Sequence, residues 1–158
     1  MIAENSRLWI YMSPEQKSLA RDGELLLEDW KSHPDERIHD YSYLVFPFSK
    51  LYEGFLKQFF RDLKIISQSD YRSDHFRIGK VLSPNLVRRL GTRSAYGQVE
   101  LRFGKALADM LWDTWKEGRN LVFHYFPHNL KALTMAEAEK LIDLICSTME
   151  QAVDKTNV

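Results

Sequence analysis

The chain lacks most of the features that would assign it at a glance. Its 158 residues include one cysteine, Cys146, which excludes an internal disulfide framework and a cysteine-built zinc site and fits a reducing cytoplasm. Twenty-two basic side chains balance twenty-two acidic ones. No overall positive field therefore draws in a polyanion, and attraction for phosphate has to come from local clustering. No run of eighteen apolar residues occurs, and the first eleven residues show no basic region leading into an apolar stretch. The sequence thus predicts neither a membrane span nor a secretory leader. Internal repeats, low-complexity tracts and a sheet-forming alternation of polar and apolar residues are missing as well. What is present is globular in character, 44% hydrophobic and 28% charged, and long enough for one domain with a real core.

The apolar residues recur at helical spacing. Ser13-Pro14-Glu15 reads as a helix start, a capping serine with proline in the first turn; Leu19, Leu25, Leu26 and Trp30 follow before His33-Pro34 ends the pattern. From Asp40 the chain becomes very apolar, and Phe48, Leu51, Tyr52, Phe55, Leu56, Phe59 and Phe60 keep a three-four repeat that predicts the core helix. Pro47 either kinks that helix or marks its beginning. Residues 67–97 are punctuated by Ser, Asp, Asn and Gly, with Ser83-Pro84-Asn85-Leu86 opening a short helix that ends at Gly91. A single helix is expected over 98–116, with Val99, Leu101, Phe103, Leu107, Met110, Leu111 and Trp115 at helical spacing and Gly118 just past its end. Thr134-Met135-Ala136-Glu137 is a capping box, followed by the stripe Ala138, Leu141, Ile142, Leu144, Ile145, Met149 and Val153. The predicted class is all-α, a bundle of four to five main helices with one short helix between Gly118 and Pro127.

That short segment carries the compact chemistry, Arg119-Asn120-Leu121-Val122-Phe123-His124. In a helix, Asn120 and His124 share a face, and Arg119 lies about 140° from His124 round the axis, with a side chain long enough to bend toward the same ligand. A cation and a proton-transfer group would then flank one anionic site. The competing structural reading makes Arg119 a residue that closes a helix C-terminus and His124 a residue satisfied at the core edge. His124 and His128 have the spacing of a helical metal pair, but Pro127 interrupts the helix and no carboxylate stands at the needed offset, so no metal is expected. Arg88, Arg89, Arg93 and Arg102 concentrate positive charge before the motif and suit an RNA backbone or a solvated surface equally. Trp112, Trp115, Tyr125 and Phe126 are expected in the core or at a dimer contact.

With its motif placed between a long amphipathic helix and a capped terminal one, the chain resembles the HEPN superfamily of α-helical domains. The nuclease members of that superfamily carry Arg-x4–6-His, commonly with a polar residue after the arginine. Its aromatic segment, Tyr43-Leu44-Val45-Phe46-Pro47-Phe48-Ser49-Lys50-Leu51-Tyr52-Glu53-Gly54-Phe55-Leu56-Lys57, is similar to the corresponding helix of the RNase LS type toxins. The likeness covers 40–153, which divides one domain into an N-terminal helix and linker (1–39) and a HEPN core. Those toxins have further domains before the HEPN unit, whereas about forty residues precede it here.

The resemblance implies a metal-independent, cofactor-free endoribonuclease, cytoplasmic and homodimeric, acting as a toxin with an antitoxin or inhibitor protein as partner, or in phage defence. The 2′-hydroxyl of RNA would attack the neighbouring phosphorus and leave a 2′,3′-cyclic phosphate and a 5′-hydroxyl, a reaction that needs proton transfer and stabilisation of an anionic phosphorus. An imidazole, titrating in general near ~6.5, suits the first task, and a guanidinium fork suits the second. Arg119, His124 and Asn120 take these roles by resemblance, with Asn120 orienting the imidazole or the phosphate. Lys50 is a candidate phosphate contact and Glu53 a candidate partner of Arg119. Against this, a Lys and a Glu at that spacing also form an ordinary solvated pair. The alternative for the whole chain is a non-catalytic HEPN interaction module, or the partner of a nucleotidyltransferase-like protein.

Overall fold

Hydroxyl side chains open the helices. In the computed structural model, which describes residues 2–33 and 37–158, Ser6 accepts the backbone N–H of Trp9 at the start of α1 (Arg7–Tyr11). Ser13 and Gln16 form a reciprocal capping box in front of α2 (Pro14–Ser32). After α3 (Ser42–Asp62), Ser67 and Asp70 cap α4 (Gln68–Arg72). Next come α5 (Ile78–Val81) and a 3-10 turn, Pro84–Leu86, that runs into α6 (Val87–Leu90). Ser94 caps α7 (Ala95–Phe103), α8 (Lys105–Trp115) follows directly, and Thr134 with Glu137 caps α9 (Met135–Thr156). Among the described residues there is no strand, and the all-α expectation holds, with α2, α3, α7, α8 and α9 as the main helices. None of these helices is long and apolar enough to cross a membrane.

The predicted core helix is the axis of the bundle. Phe48, Leu51, Tyr52, Phe55, Leu56, Phe59 and Phe60 of α3 are all fully buried, each burial worth roughly 1.5–3 kcal/mol. α2 and α9 lie against α3, α8 packs on α7 and α9, and α1 packs on α9. Buried polar pairs fix the register between these helices. The Gln16 amide donates to Gln58 at 3.1 Å, and Gln58 in turn donates to the Tyr11 carbonyl at 2.9 Å. The Tyr52 hydroxyl donates to the Leu111 carbonyl at 2.9 Å, and Thr114 meets Thr148 at 2.8 Å. Burial holds the Tyr52 phenol far above its ordinary pKa, so it stays a donor. Asp40 ties the start of α3 to the segment just before α9 by accepting the N–H groups of Ser42 and Leu133 at 3.0 and 3.2 Å.

Three expectations change. The buried side of α2 is Gln16, Ala20, Gly23 and Leu27, while Leu25 is 63% exposed and Leu26 partly so. The stripe is rotated because small residues, not leucines, allow α2 to approach α3: a Cβ on Gly23 would lie 2.4 Å from the Phe48 ring. The helix expected over 98–116 is two helices. Gly104, at φ 94° and ψ 156°, breaks it, in a conformation open essentially to glycine. Leu101, counted in the stripe, is 82% exposed, since it stands two positions from the buried Val99 and so on the opposite side of α7. Of the two places open to Pro47, the helix beginning is excluded: α3 starts before it at Ser42 and carries it buried in its interior. The short helices α1, α4 and α5 lack the apolar periodicity that would announce them, since each spans only four or five residues.

Cys146 is buried in α9, and burial pushes its thiol up to about 12. The α2 phase is tested by a pair of substitutions followed in urea denaturation. Gly23→Val overpacks the α2–α3 contact and is expected to cost about 1–3 kcal/mol, whereas Leu25→Ser stays within about 0.5 kcal/mol of the parent. The reverse order would return Leu25 to the core.

Candidate active site

Below its buried stripe, α3 turns a second face outward, carrying Phe46, Lys50 and Glu53 at spacings of four and three. Opposite this face, α8 does not stop. It runs into a π-helical turn, Lys116–Leu121, in which each backbone bond spans five residues, so the turn is wider than an α-turn. Gly118 is therefore not the terminator expected from its place in the sequence. It is buried inside the turn, where the Ile145 side chain of α9 packs onto its Cα. Its carbonyl accepts a hydrogen bond from the buried Ser49 hydroxyl of α3. The motif accordingly lies on no separate two-turn helix: Arg119 and Asn120 belong to the π-turn, and His124 stands in the bend beyond it.

This placement brings Arg119 to α3. Its Nε lies 3.4 Å from Glu53 Oε2, and its guanidinium sits over the Trp115 ring at 5.3 Å. Glu53 is the one carboxylate paired with Arg119 among the described residues. Arg119, Glu53, Lys50, Ser49, Phe46 and Phe123 line a hollow of about 300 Å³. Phe46 and Phe123 close one side edge to face, with ring centres 5.6 Å apart. A broader depression of about 580 Å³ shares Lys50 and Glu53 and continues along α3 to Lys57 and Tyr71.

Asn120 and His124 do meet, as their spacing predicts: Asn120 Oδ1 is 3.2 Å from His124 Nε2. An amide oxygen can only accept, so Nε2 is the donor in this arrangement and Nδ1 is left with a lone pair able to take a proton. His124 is exposed and does not line the Arg119 hollow. The two ends of the motif are thus presented on adjoining surfaces, and one chain does not close them round one point.

The other candidates separate from the site. Arg88, Arg89, Arg93 and Arg102 line neither the hollow nor the adjoining depression. Arg102 donates to the Leu63 carbonyl at 2.7 Å, satisfying the C-terminal end of α3. Of the aromatic residues, Trp115 is buried and carries Arg119, Trp112 and Phe126 are partly buried, and Tyr125 is 80% exposed. His128 adopts a left-handed backbone at φ 62° and does not continue a helical face from His124. Sequence reasoning missed Ser49, Phe46 and Phe123 as site residues. Phe46 was legible in principle, lying four residues before Lys50 on the outward face, but it was absorbed into the apolar run of α3.

Comparison with family models, curated proteins and solved structures finds no match to this chain.

The Ser49 hydroxyl is the polar link between α3 and the π-turn. Ser49→Ala leaves a buried carbonyl unpaired and is expected to cost about 1–3 kcal/mol, with amide exchange accelerating selectively over residues 116–123. Unchanged stability together with unchanged exchange would show that the turn holds its position without this bond.

Proposed function

We propose that the chain is a metal-independent endoribonuclease of the HEPN type, working as a homodimer with the Arg119–His124 motif at the two-fold interface. The observation that carries this reading is the hold on Arg119. Glu53 pairs with it from α3, the Trp115 ring lies beside its guanidinium, and it lines a hollow that also contains Lys50. An arginine that merely closed a helix would have no such neighbours. A guanidinium held between a carboxylate and an aromatic ring at the edge of a hollow is pre-organised for phosphate.

The chemistry follows from the residues. His124 Nδ1 takes the proton of the RNA 2′-hydroxyl as that oxygen bonds to the adjacent phosphorus. The bond from phosphorus to the 5′-oxygen breaks as that oxygen takes a proton from the His124 imidazolium of the second copy. The products are a 2′,3′-cyclic phosphate and a 5′-hydroxyl, and no oxidant, metal or water is consumed. Arg119 and Lys50 balance the charge on phosphorus. Asn120 keeps Nε2 protonated and Nδ1 free.

Two features favour a dimer. The imidazole and the guanidinium of one chain stand on adjoining surfaces, so a second copy related by a two-fold axis could supply the complement of each. An apolar face surrounds them: Tyr43, Phe46, Phe123 and Tyr125 are 41%, 53%, 39% and 80% exposed, a concentration of aromatic surface typical of interfaces. In this reading the chain is the toxin of a toxin–antitoxin or phage-defence system, and an inhibitor protein would cover the same face.

Purified protein is expected to cleave RNA in the presence of a chelator and to leave cyclic phosphate ends. Arg119→Ala and His124→Ala should each lower cleavage at least ~100-fold, with helicity and thermal midpoint retained. Cleavage undiminished in both variants would sink the site. Absence of cleavage by the parent chain on structured, unstructured and ribosomal RNA would favour a non-catalytic module. Glu53→Gln should keep part of the activity and Glu53→Ala less, because the amide oxygen still offers a partial negative charge to the guanidinium; equal activity in the two would remove Glu53 as the residue that positions Arg119.

A further inference from the structure

The positive charge of this neutral chain is concentrated away from Arg119. Residues 67–94 carry Arg72, Arg77, Lys80, Arg88, Arg89 and Arg93 against Asp70 and Asp74, an excess of four positive charges that the remainder offsets. The fold wraps this segment, from α4 through α6 to the turn Gly91–Arg93, round a cleft of about 320 Å³. Ile66, Phe76 and Leu90 contribute an apolar floor, and His75, Arg77, Lys80 and Arg93 stand round it.

The cations are not neutralised by their surroundings. Asp70, the carboxylate that lines the cleft, accepts the Ser67 N–H at 3.1 Å and the Ser67 hydroxyl at 2.7 Å and forms no ion pair with these cations among the described residues, and its single charge leaves Arg77, Lys80 and Arg93 with an excess of two. Arg77 donates to the backbone carbonyls of Asp74 and Phe76 at 2.6 and 3.4 Å, which orients it without cancelling its charge. Lys80 and Arg93 have no ion-pair partner among the described residues, and Arg88 and Arg89 are exposed on the neighbouring α6. The Arg119 hollow is different. Lys50 and Arg119 face Glu53 there, leaving one net positive charge, enough for a single phosphate and too little to retain a strand.

We propose that the cleft between α4 and α6 is a second contact for single-stranded RNA, in which backbone phosphates meet Arg77, Lys80 and Arg93 and an unstacked base lies against Phe76. The identity of the strand rests on the ribonuclease reading above; the cleft and its charge do not. Guanidinium forks beside an aromatic floor match a phosphate next to a planar base, a combination that a run of carboxylates in an acidic peptide does not present. Affinity then resides mainly in this cleft and chemistry at Arg119, so the two can be altered separately.

The test uses a fluorescein-labelled 2′-O-methyl oligouridine, which binds but cannot be cleaved, followed by anisotropy across a salt series. Arg119→Gln, which removes a single phosphate contact at the other site, should weaken binding less than loss of the cleft charges does. The double variant Lys80→Gln/Arg93→Gln, which spares the backbone bonds of Arg77, should bind roughly tenfold more weakly, and its slope of log affinity against log salt should be shallower by about 1.4, two phosphate contacts at ~0.7 each. The charge-preserving Lys80→Arg/Arg93→Lys variant should bind like the parent, which separates lost charge from lost fold. Parent-like affinity and slope in the neutral variant, or no binding of the strand by the parent, would overturn the proposal. Displacement of the strand by a polyglutamate peptide of equal charge at a lower concentration would overturn the nucleic-acid assignment. A parent chain that cuts no RNA while the neutral variant loses the oligonucleotide would leave the cleft standing and remove the ribonuclease reading alone.

Discussion

The structure depends on α3 being buried along one entire side. Its aromatic stripe from Phe48 to Phe60 is what α2 and α9 close upon, and the polar ties from Ser49 and Tyr52 reach across to the segment that contains α8 and the π-turn. Because α3 cannot rotate without exposing several phenylalanines, at roughly 1.5–3 kcal/mol each, its outward face is fixed as well. Lys50 and Glu53 are therefore rigidly aimed although neither is itself in the core. The functional face of the helix is held by the burial of the opposite one.

That rigidity explains how a weak ion pair can still organise a site. An exposed Arg–Glu pair is worth little on its own, about 0–1 kcal/mol, and the contact between Glu53 and Arg119 is partly exposed on both sides. Its value is geometric: the pair and the Trp115 ring together limit where the guanidinium can go. On the reading offered here, the charge distribution divides labour in the same spirit, with a nearly balanced site for chemistry and an unbalanced cleft for attraction.

What the sequence made legible follows from which signals are local. The start signal Ser13-Pro14-Glu15 and the capping box Thr134-Met135-Ala136-Glu137 are written in consecutive residues, and both helices begin where those residues say. The α3 stripe was readable because seven large apolar residues repeat without interruption. The phase of α2 was not, because the contact is made by Ala20 and Gly23, whose importance is the absence of volume and shows only against Phe48. Gly104 and Gly118 illustrate the same limit from opposite sides. Gly104 falls inside the helical pattern of 98–116 and Gly118 just past its end, yet the first breaks a helix through its backbone conformation and the second remains inside one beneath Ile145. Within the candidate site, the Asn120–His124 contact is a matter of spacing and was visible. The Arg119–Glu53 contact joins residues far apart in the chain, and only the resemblance suggested it. Ser49 looked like one more small residue in an apolar run.

The π-turn has a further meaning. A turn that closes over five residues contains one residue more than the α-turn it replaces, so the presentation of Arg119 is encoded in chain length as much as in side-chain identity. A homologous chain with a single-residue deletion between Lys116 and Leu121 could keep its aromatic core, its capping boxes and even its arginine and histidine, yet continue α8 as ordinary helix and swing the guanidinium away from Glu53. For chains of this type, alignment of the Arg and the His is an incomplete criterion for a shared active site; the spacing from Trp115 to Arg119 must match as well.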